Sequence, residues 1–322
     1  MQLTHPLLAL GIVSLLVSAP GLRAVTTQEP ALAKVSPDAQ FLALKTGFDK
    51  AMQDVQKELS KAKTAAERST LLAEKYPKPE AYIASALAIA EQSPKTPAAA
   101  ACLVWALPLA ADLDHDNIEE LVLGVRDTSS VPLGLQKSGS NSIAEILNTL
   151  LQDHINDELL GDACRAISGA NDTTLAENFV SKVKDQSPHH AVKGNACYTL
   201  AKMYLQRAEL AQKLQAGDDA QLKTRLQKMH GDAWLDAMSS CDITAMHKKS
   251  EDLLEAVESN YGDVKTRTGT LADAAKHDLF EIRNLTIGKH APEIVGQDLD
   301  GKTFQLSDYR GKVVFLDFWG FW

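Results

Sequence analysis

The sequence predicts a mostly α fold, a helical array or irregular bundle, followed by the incomplete start of an α/β domain. Between residues 36 and 283 apolar side chains return every three or four positions, which on a 3.6-residue helix lines up one buried stripe. After Asn284 that period gives way to short extended stretches separated by Asp and Gly turns, the texture of strands and hairpins. The chain has 322 residues, 45% of them hydrophobic and 23% charged, enough for one large or two modest folded domains. The expected organisation is a leader over 1–24, a helical domain over 36–283 and a different fold over 287–322.

Residues 7–19 form an apolar run of secretory-signal length, and small residues follow at Ala19 and Gly21. Residues 1–24 therefore read as a cleaved export signal, with cleavage after Gly21 or Ala24 because Pro20 disfavours a cut directly after Ala19. Residues 1–6 lack the Lys or Arg usual ahead of such a run, so an uncleaved N-terminal anchor or a hydrophobic first helix is the alternative. No later stretch reaches the roughly 20 apolar residues of a membrane span. A periplasmic or otherwise extracytoplasmic location is expected. The net charge of −9 lies in mixed-sign sequence with no Lys/Arg run and few aromatics, which argues against nucleic acid as a partner.

Ser36-Pro37 opens the first helix, whose stripe is Phe41, Leu44, Phe48, Met52, Val55 and Leu59. The same rule marks helices around 80–91, 98–107, 118–125, 143–151, 159–167, 175–183, 191–214 and 252–257. Ser142 with Glu145, and Thr174 with Glu177, have capping-box spacing and are expected at helix starts. Short Pro-bearing connections at Tyr76-Pro77-Lys78-Pro79, Ser93-Pro94-Lys95-Thr96-Pro97 and Gln186-Ser187-Pro188 suit consecutive antiparallel helices packed as hairpins. Residues 79–94 and 191–211 have a faint likeness to tetratricopeptide helices but keep no fixed period of about 34 residues. A groove for a peptide or protein partner and a plain helical scaffold both stay open.

Cys102, Cys164, Cys197 and Cys241 are widely scattered and none forms a CxxC. Most sit among apolar residues at helical spacing and read as small core residues; a structural disulfide is the alternative, and spacing cannot choose among the pairings. His189-His190 at a helix start reads as surface or capping chemistry. Asp114-His115-Asp116 reads as a solvated helix start, since sequence neighbours point in different directions. Zinc ligands at CxxC or HxxxH spacing are absent, so no metal site is expected.

In the last segment, residues 294–297 and 303–306 flank Asp298-Leu299-Asp300-Gly301, a tight hairpin turn in which Asp bonds the backbone and Gly supplies the permissive φ. Ser307-Asp308-Tyr309-Arg310-Gly311 reads as a short capped turn, and residues 313–319 as a buried strand interrupted by Asp317.

Ile287-Gly288, Ala291-Pro292, Asp300-Gly301, Leu306-Ser307-Asp308, Arg310-Gly311-Lys312 and the ending Asp317-Phe318-Trp319-Gly320-Phe321-Trp322 carry a resemblance. Together they resemble the start of the TlpA and ResA-like extracytoplasmic branch of thioredoxin proteins, with peroxiredoxins as relatives. The resemblance covers about a tenth of the chain. It implies thiol:disulfide exchange without metal or organic cofactor, on protein disulfides and with a thiol electron donor. In that branch the strand runs into a Trp followed directly by CxxC at a helix N-terminus, where one thiolate attacks the substrate disulfide and the second cysteine resolves the mixed disulfide. By the same resemblance Asp317 exchanges a proton with the resolving cysteine, and Trp319 and Trp322 border the site. The sequence stops before such a pair, and the expectation is a truncated gene, a frameshift or a fragmentary sequence, inactive as it stands. The rival expectation is a non-enzymatic helical binding or scaffold protein with a vestigial C-terminal stub.

Overall fold

The computed structural model describes residues 35–114, 136–168, 173–286 and 288–317, and the elements below all lie in the unit Ser36–Trp322. The expected export signal and the helix at 118–125 lie outside the described residues. The described part is mostly α. Its helices are α1 (Pro37–Leu59), α2 (Ala65–Lys75), α3 (Pro79–Gln92), α4 (Pro97–Asp114), α5 (Gln136–Asp153), α6 (Leu160–Ile167), α7 (Thr173–Gln186) and α8 (His190–Ala216). They continue with α9 (Ala220–His230), α10 (Asp232–Ser239) and α11 (Ile243–Tyr261). A minimal hairpin, β1 (Lys265–Thr266) with β2 (Gly269–Thr270), leads into α12 (Leu271–Asn284).

Local chemistry sets many of the boundaries. Ser36 Oγ accepts from Ala39 N at 3.3 Å ahead of Pro37, as the sequence predicts. Thr64 with Glu67 and Thr270 with Asp273 close reciprocal capping boxes that start α2 and α12. Asp219 and Asp242 cap α9 and α11 by accepting from Leu222 N and Ala245 N. Gly217, at φ +74°, ends α8 in the left-handed conformation that a Cβ disfavours. Four helices, α2, α9, α10 and α12, escape the periodicity reading: α2 buries only Leu72, α9 and α10 are short and largely exposed, and α12 carries an acid in its stripe.

Two buried clusters hold the helices together. The first joins α3 to α8 through Ile83, Leu103, Leu107, Ile146, Leu150, Phe179 and Val192, with Phe41 and Leu44 of α1 against it. The second joins α8, α11 and α12 through Cys197, Leu205, Leu254, Leu271 and Leu279. Each fully buried Leu, Ile or Phe contributes roughly 1.5–3 kcal/mol of transfer free energy. The most extensive helix pairing is α8 with α11, made close by Gly194, where a Cβ would stand 2.8 Å from Tyr261 Cβ. Cys102, Cys164 and Cys197 are buried, as expected of core residues, Cys241 is intermediate, and all four thiols are free.

Several expectations need correction. Helix α4 runs on through Pro108 to Asp114; Ala98, Leu103, Leu107 and Ala110 bury it on several sides, and that burial outweighs the hydrogen bond a proline removes. Asp114 is therefore the last described residue of a helix rather than the start of one, and His115 and Asp116 lie outside the described residues. Ser142 sits inside α5, six residues after its first described residue, and not at a helix start. Helix α7 begins at Thr173, which puts Thr174 in its first turn; Glu177 instead accepts a short hydrogen bond from Tyr204 Oη and lies 3.0 Å from Arg207 Nη1 of α8.

Beyond α12 the expected hairpin forms: β3 (Val295–Gln297) pairs antiparallel with β4 (Thr303–Gln305) in the register Val295↔Gln305, Gly296↔Phe304, Gln297↔Thr303. Asp298 Oδ1 accepts from Asp300 N and Lys302 N, and Gly301 takes φ +77°. A 3₁₀ turn follows at Leu306–Tyr309. The buried strand expected over 313–319 is not formed by its described part: residues 313–317 carry no strand pairing, and Val313 and Phe315 are 103% and 90% exposed. A strand requires a neighbour for its backbone groups, and among the described residues β3 and β4 pair only with each other.

Candidate functional site

The C-terminal segment is organised by Glu293, whose Oε1 accepts from Ser307 N at 3.0 Å and Ile294 N at 3.2 Å. Those hydrogen bonds, from Ser307 first, hold its carboxyl below the usual range. Phe304 meets Tyr309 edge-on at 6.4 Å and lies over Gly296, where a Cβ would approach its ring to 3.0 Å. Asp317 is exposed on the unpaired stretch that follows, and Trp319 and Trp322 lie outside the described residues. The described residues thus bring nothing together around Asp317.

Two polar clusters are built into the helical part. At the start of α8, His189 Nε2 lies 2.8 Å from Asn156 O and its Nδ1 3.5 Å from Glu158 Oε1, while His190 Nε2 lies 2.9 Å from Asp263 Oδ1. The last contact lowers the Asp263 pKa. Arg165 donates to Asn195 Oδ1 at 2.9 Å and to Asp162. Glu158, Asp162, Arg165, His189, His190 and Asn195 border a cleft of about 290 Å³. The histidine pair lies at the surface, as the sequence suggests, with His189 at the N-cap position but making no side-chain capping bond; its acidic partners come from distant parts of the chain, where sequence neighbours gave no sign of them.

Between α8 and α12, Asp278 is 4% exposed and uses both oxygens: Tyr198 Oη donates to Oδ2 and Lys202 Nζ to Oδ1, each at 2.9 Å. Burial first, and then the Asp278 charge, push the Tyr198 pKa up. The sequence held a signal for this group that periodicity alone passed over. Leu271, Ala275, Asp278, Leu279 and Ile282 are the buried positions of α12, so Asp278 is an acid at an apolar position, which demands a partner. His277, Asp278 and Glu281 also bring three donor atoms within 4.8 Å of one another. The Lys202 ammonium already on Asp278 opposes a metal cation there, and the arrangement ties α8 to α12.

Within the described residues no helix is long and apolar enough to cross a membrane. No family model matches the chain, and no solved structure matches it. A 38-residue stretch, 12% of the chain, is 55% identical to the thiol-disulfide oxidoreductase ResA of Bacillus thuringiensis subsp. konkukian (strain 97-27). Similar stretches are 53% identical to ResA of Geobacillus thermodenitrificans (strain NG80-2) and 49% identical, over 39 residues, to ResA of Bacillus subtilis (strain 168). The chain spans 22% of the length of each of these relatives, so what is shared with the thiol-disulfide oxidoreductases is one short, partial stretch.

Proposed function

We propose that residues 287–322 are the opening of a thioredoxin-like thiol:disulfide oxidoreductase domain of the TlpA and ResA-like kind, attached to a helical domain over 36–283 and directed out of the cytoplasm by residues 1–24. The observation that supports this most is the 49–55% identity of a short stretch to ResA proteins, together with the ordered motif from Ile287-Gly288 to Asp317-Phe318-Trp319. On this reading the matched stretch is that motif, protein disulfides are the substrates, and Asp317 is the proton partner of a resolving cysteine with Trp319 and Trp322 beside it.

The chemistry needs a thiolate that forms readily, next to a second thiol. None of the cysteines present meets that need. Burial pushes the thiols of Cys102 and Cys197 up to about 11 and that of Cys164 up to about 12, the wrong direction for a nucleophile, and no pair is spaced CxxC. The reactive pair is then to be sought in what the gene encodes after the codon for Trp322.

Two measurements test the reading. Sequencing the coding DNA past that codon is expected to find a CxxC within a few residues in one of the frames; unrelated sequence in every frame overturns the oxidoreductase reading and leaves the helical part as a binding or scaffold module. The purified 322-residue chain is expected to show no dithiol-dependent insulin reduction above that of a version with all four cysteines replaced. Turnover above that control would mean that one of these four thiols is the nucleophile after all.

A further inference from the structure

The corner between α5 and α6 buries an imidazole that none of the chemistry above uses. His154 is 5% exposed, and its Nε2 has no hydrogen-bond partner among the described residues. The backbone around it is tied down: His154 N donates to Leu150 O at 3.0 Å, Asp157 N donates to His154 O at 2.8 Å, and Leu159 N donates to Asp157 Oδ1 at 2.9 Å. Within the same corner Asn156 O receives His189 Nε2, the ring that stands at the N-cap of α8. One seven-residue turn, Asp153 to Leu159, therefore both hides His154 and pins the start of the longest described helix.

The charged groups placed around the corner are few. Asp157 and Asp153 lie near the ring and favour its protonation, but burial outweighs them and lowers its pKa. Asp153 is itself 3.7 Å from Lys95 of the α3–α4 turn, and Glu158 faces His189 Nδ1 rather than His154. An imidazolium at this place would be desolvated without an acceptor on Nε2, whereas the neutral ring leaves a single polar atom unsatisfied.

We propose that His154 is a proton-operated latch: neutral, it lets the 153–159 corner close on the start of α8; protonated, it opens the corner, withdraws Asn156 from His189 and loosens the cleft between α6 and α8. The sign follows from burial. The open form takes the proton at the ordinary histidine pKa, taken as 6.5, and the closed form only at lower pH. The closed corner therefore has its full stability above that value and loses it as pH falls toward the lower pKa of the closed form.

The test follows the ring ¹⁵N shifts of His154 in the full chain from pH 8 to pH 5. Alongside, backbone amide exchange is measured at 155–160 and 190–195, corrected for the intrinsic effect of pH, in the wild type and in His154→Phe. The ring is expected to titrate below the ordinary histidine value, and the open population of both segments to rise up to about tenfold between pH 7.5 and 5.5 in the wild type. His154→Phe, with a non-titrating ring in the same space, is expected to show no such rise. A ring that titrates at the ordinary histidine value, or equal pH responses in the two proteins, overturns the latch. Should His154→Phe fail to fold, the wild type decides alone: protonation of the ring without loss of protection at 190–195 refutes the coupling.

Discussion

Replacing Asp278 by alanine tests how α12 is held to α8. The carboxylate is 4% exposed and accepts from Tyr198 Oη and Lys202 Nζ, both at 2.9 Å. Its removal leaves a partly buried hydroxyl without an acceptor, costing about 1–2 kcal/mol. It also leaves an ammonium whose side chain is 31% exposed; because water reaches that group, its loss is nearer about 1–2 kcal/mol than the larger penalty of a fully buried ion pair. The expected total is about 3 kcal/mol, read from the urea midpoint of the 322-residue chain at pH 7. In a double-mutant cycle, Lys202→Met is expected to recover about 1 kcal/mol of that loss, because it removes the stranded charge. A midpoint for Asp278→Ala equivalent to less than about 0.5 kcal/mol of destabilisation would refute the reasoning, since it would mean that neither bond contributes.

Glycine positions offer a paired test: Gly194→Ala puts a methyl 2.8 Å from Tyr261 Cβ and 3.1 Å from Leu271 Cδ1, and should lower stability by about 1–3 kcal/mol. Gly47→Ala, in open space on the exposed face of α1, should instead raise it by about 0.5–1 kcal/mol through better helix propensity. Equal effects at the two sites would sink the close approach of α8 and α11. With burial holding the thiols of Cys102, Cys164 and Cys197 up at about 11 to 12, an aromatic disulfide reagent at pH 8 should modify only Cys241 quickly, the remaining three reacting after urea is added. Rapid modification of two or more thiols in the native chain contradicts that packing.

Much of the helical part was legible because burial writes a period into the sequence. Helices α1, α3, α6 and α8 begin within two residues of where their stripes or Ser-Pro and Pro signals place them. Where burial is thin, as on α2 with only Leu72, the period fades and the Thr64-to-Glu67 capping spacing is the better signal. On α4 the stripe marks 98–107 and Pro108 then misleads, since the helix continues past it to Asp114. The β3–β4 hairpin was readable from Asp298 and Gly301 because a turn is a local affair. The candidate sites were not, because their partners are brought together from afar: Asp278 meets Tyr198 across 80 positions and His190 meets Asp263 across 73. The strand expected at 313–319 shows the same limit in reverse, since apolar, β-branched residues state a preference that only neighbouring strands can satisfy.

Helix α8 contributes Val192, Ala196, Leu200 and Met203 to one buried cluster and Cys197, Ala201 and Leu205 to the other. Successive residues of one helix are thus the shared wall of both. Any dissection of the helical region into separately expressed halves must give this wall to one half and strip it from the other, so the region has no natural cut point. Cleavage within 190–205 should dissolve both halves together, and fusions or tags belong at the outer connections instead.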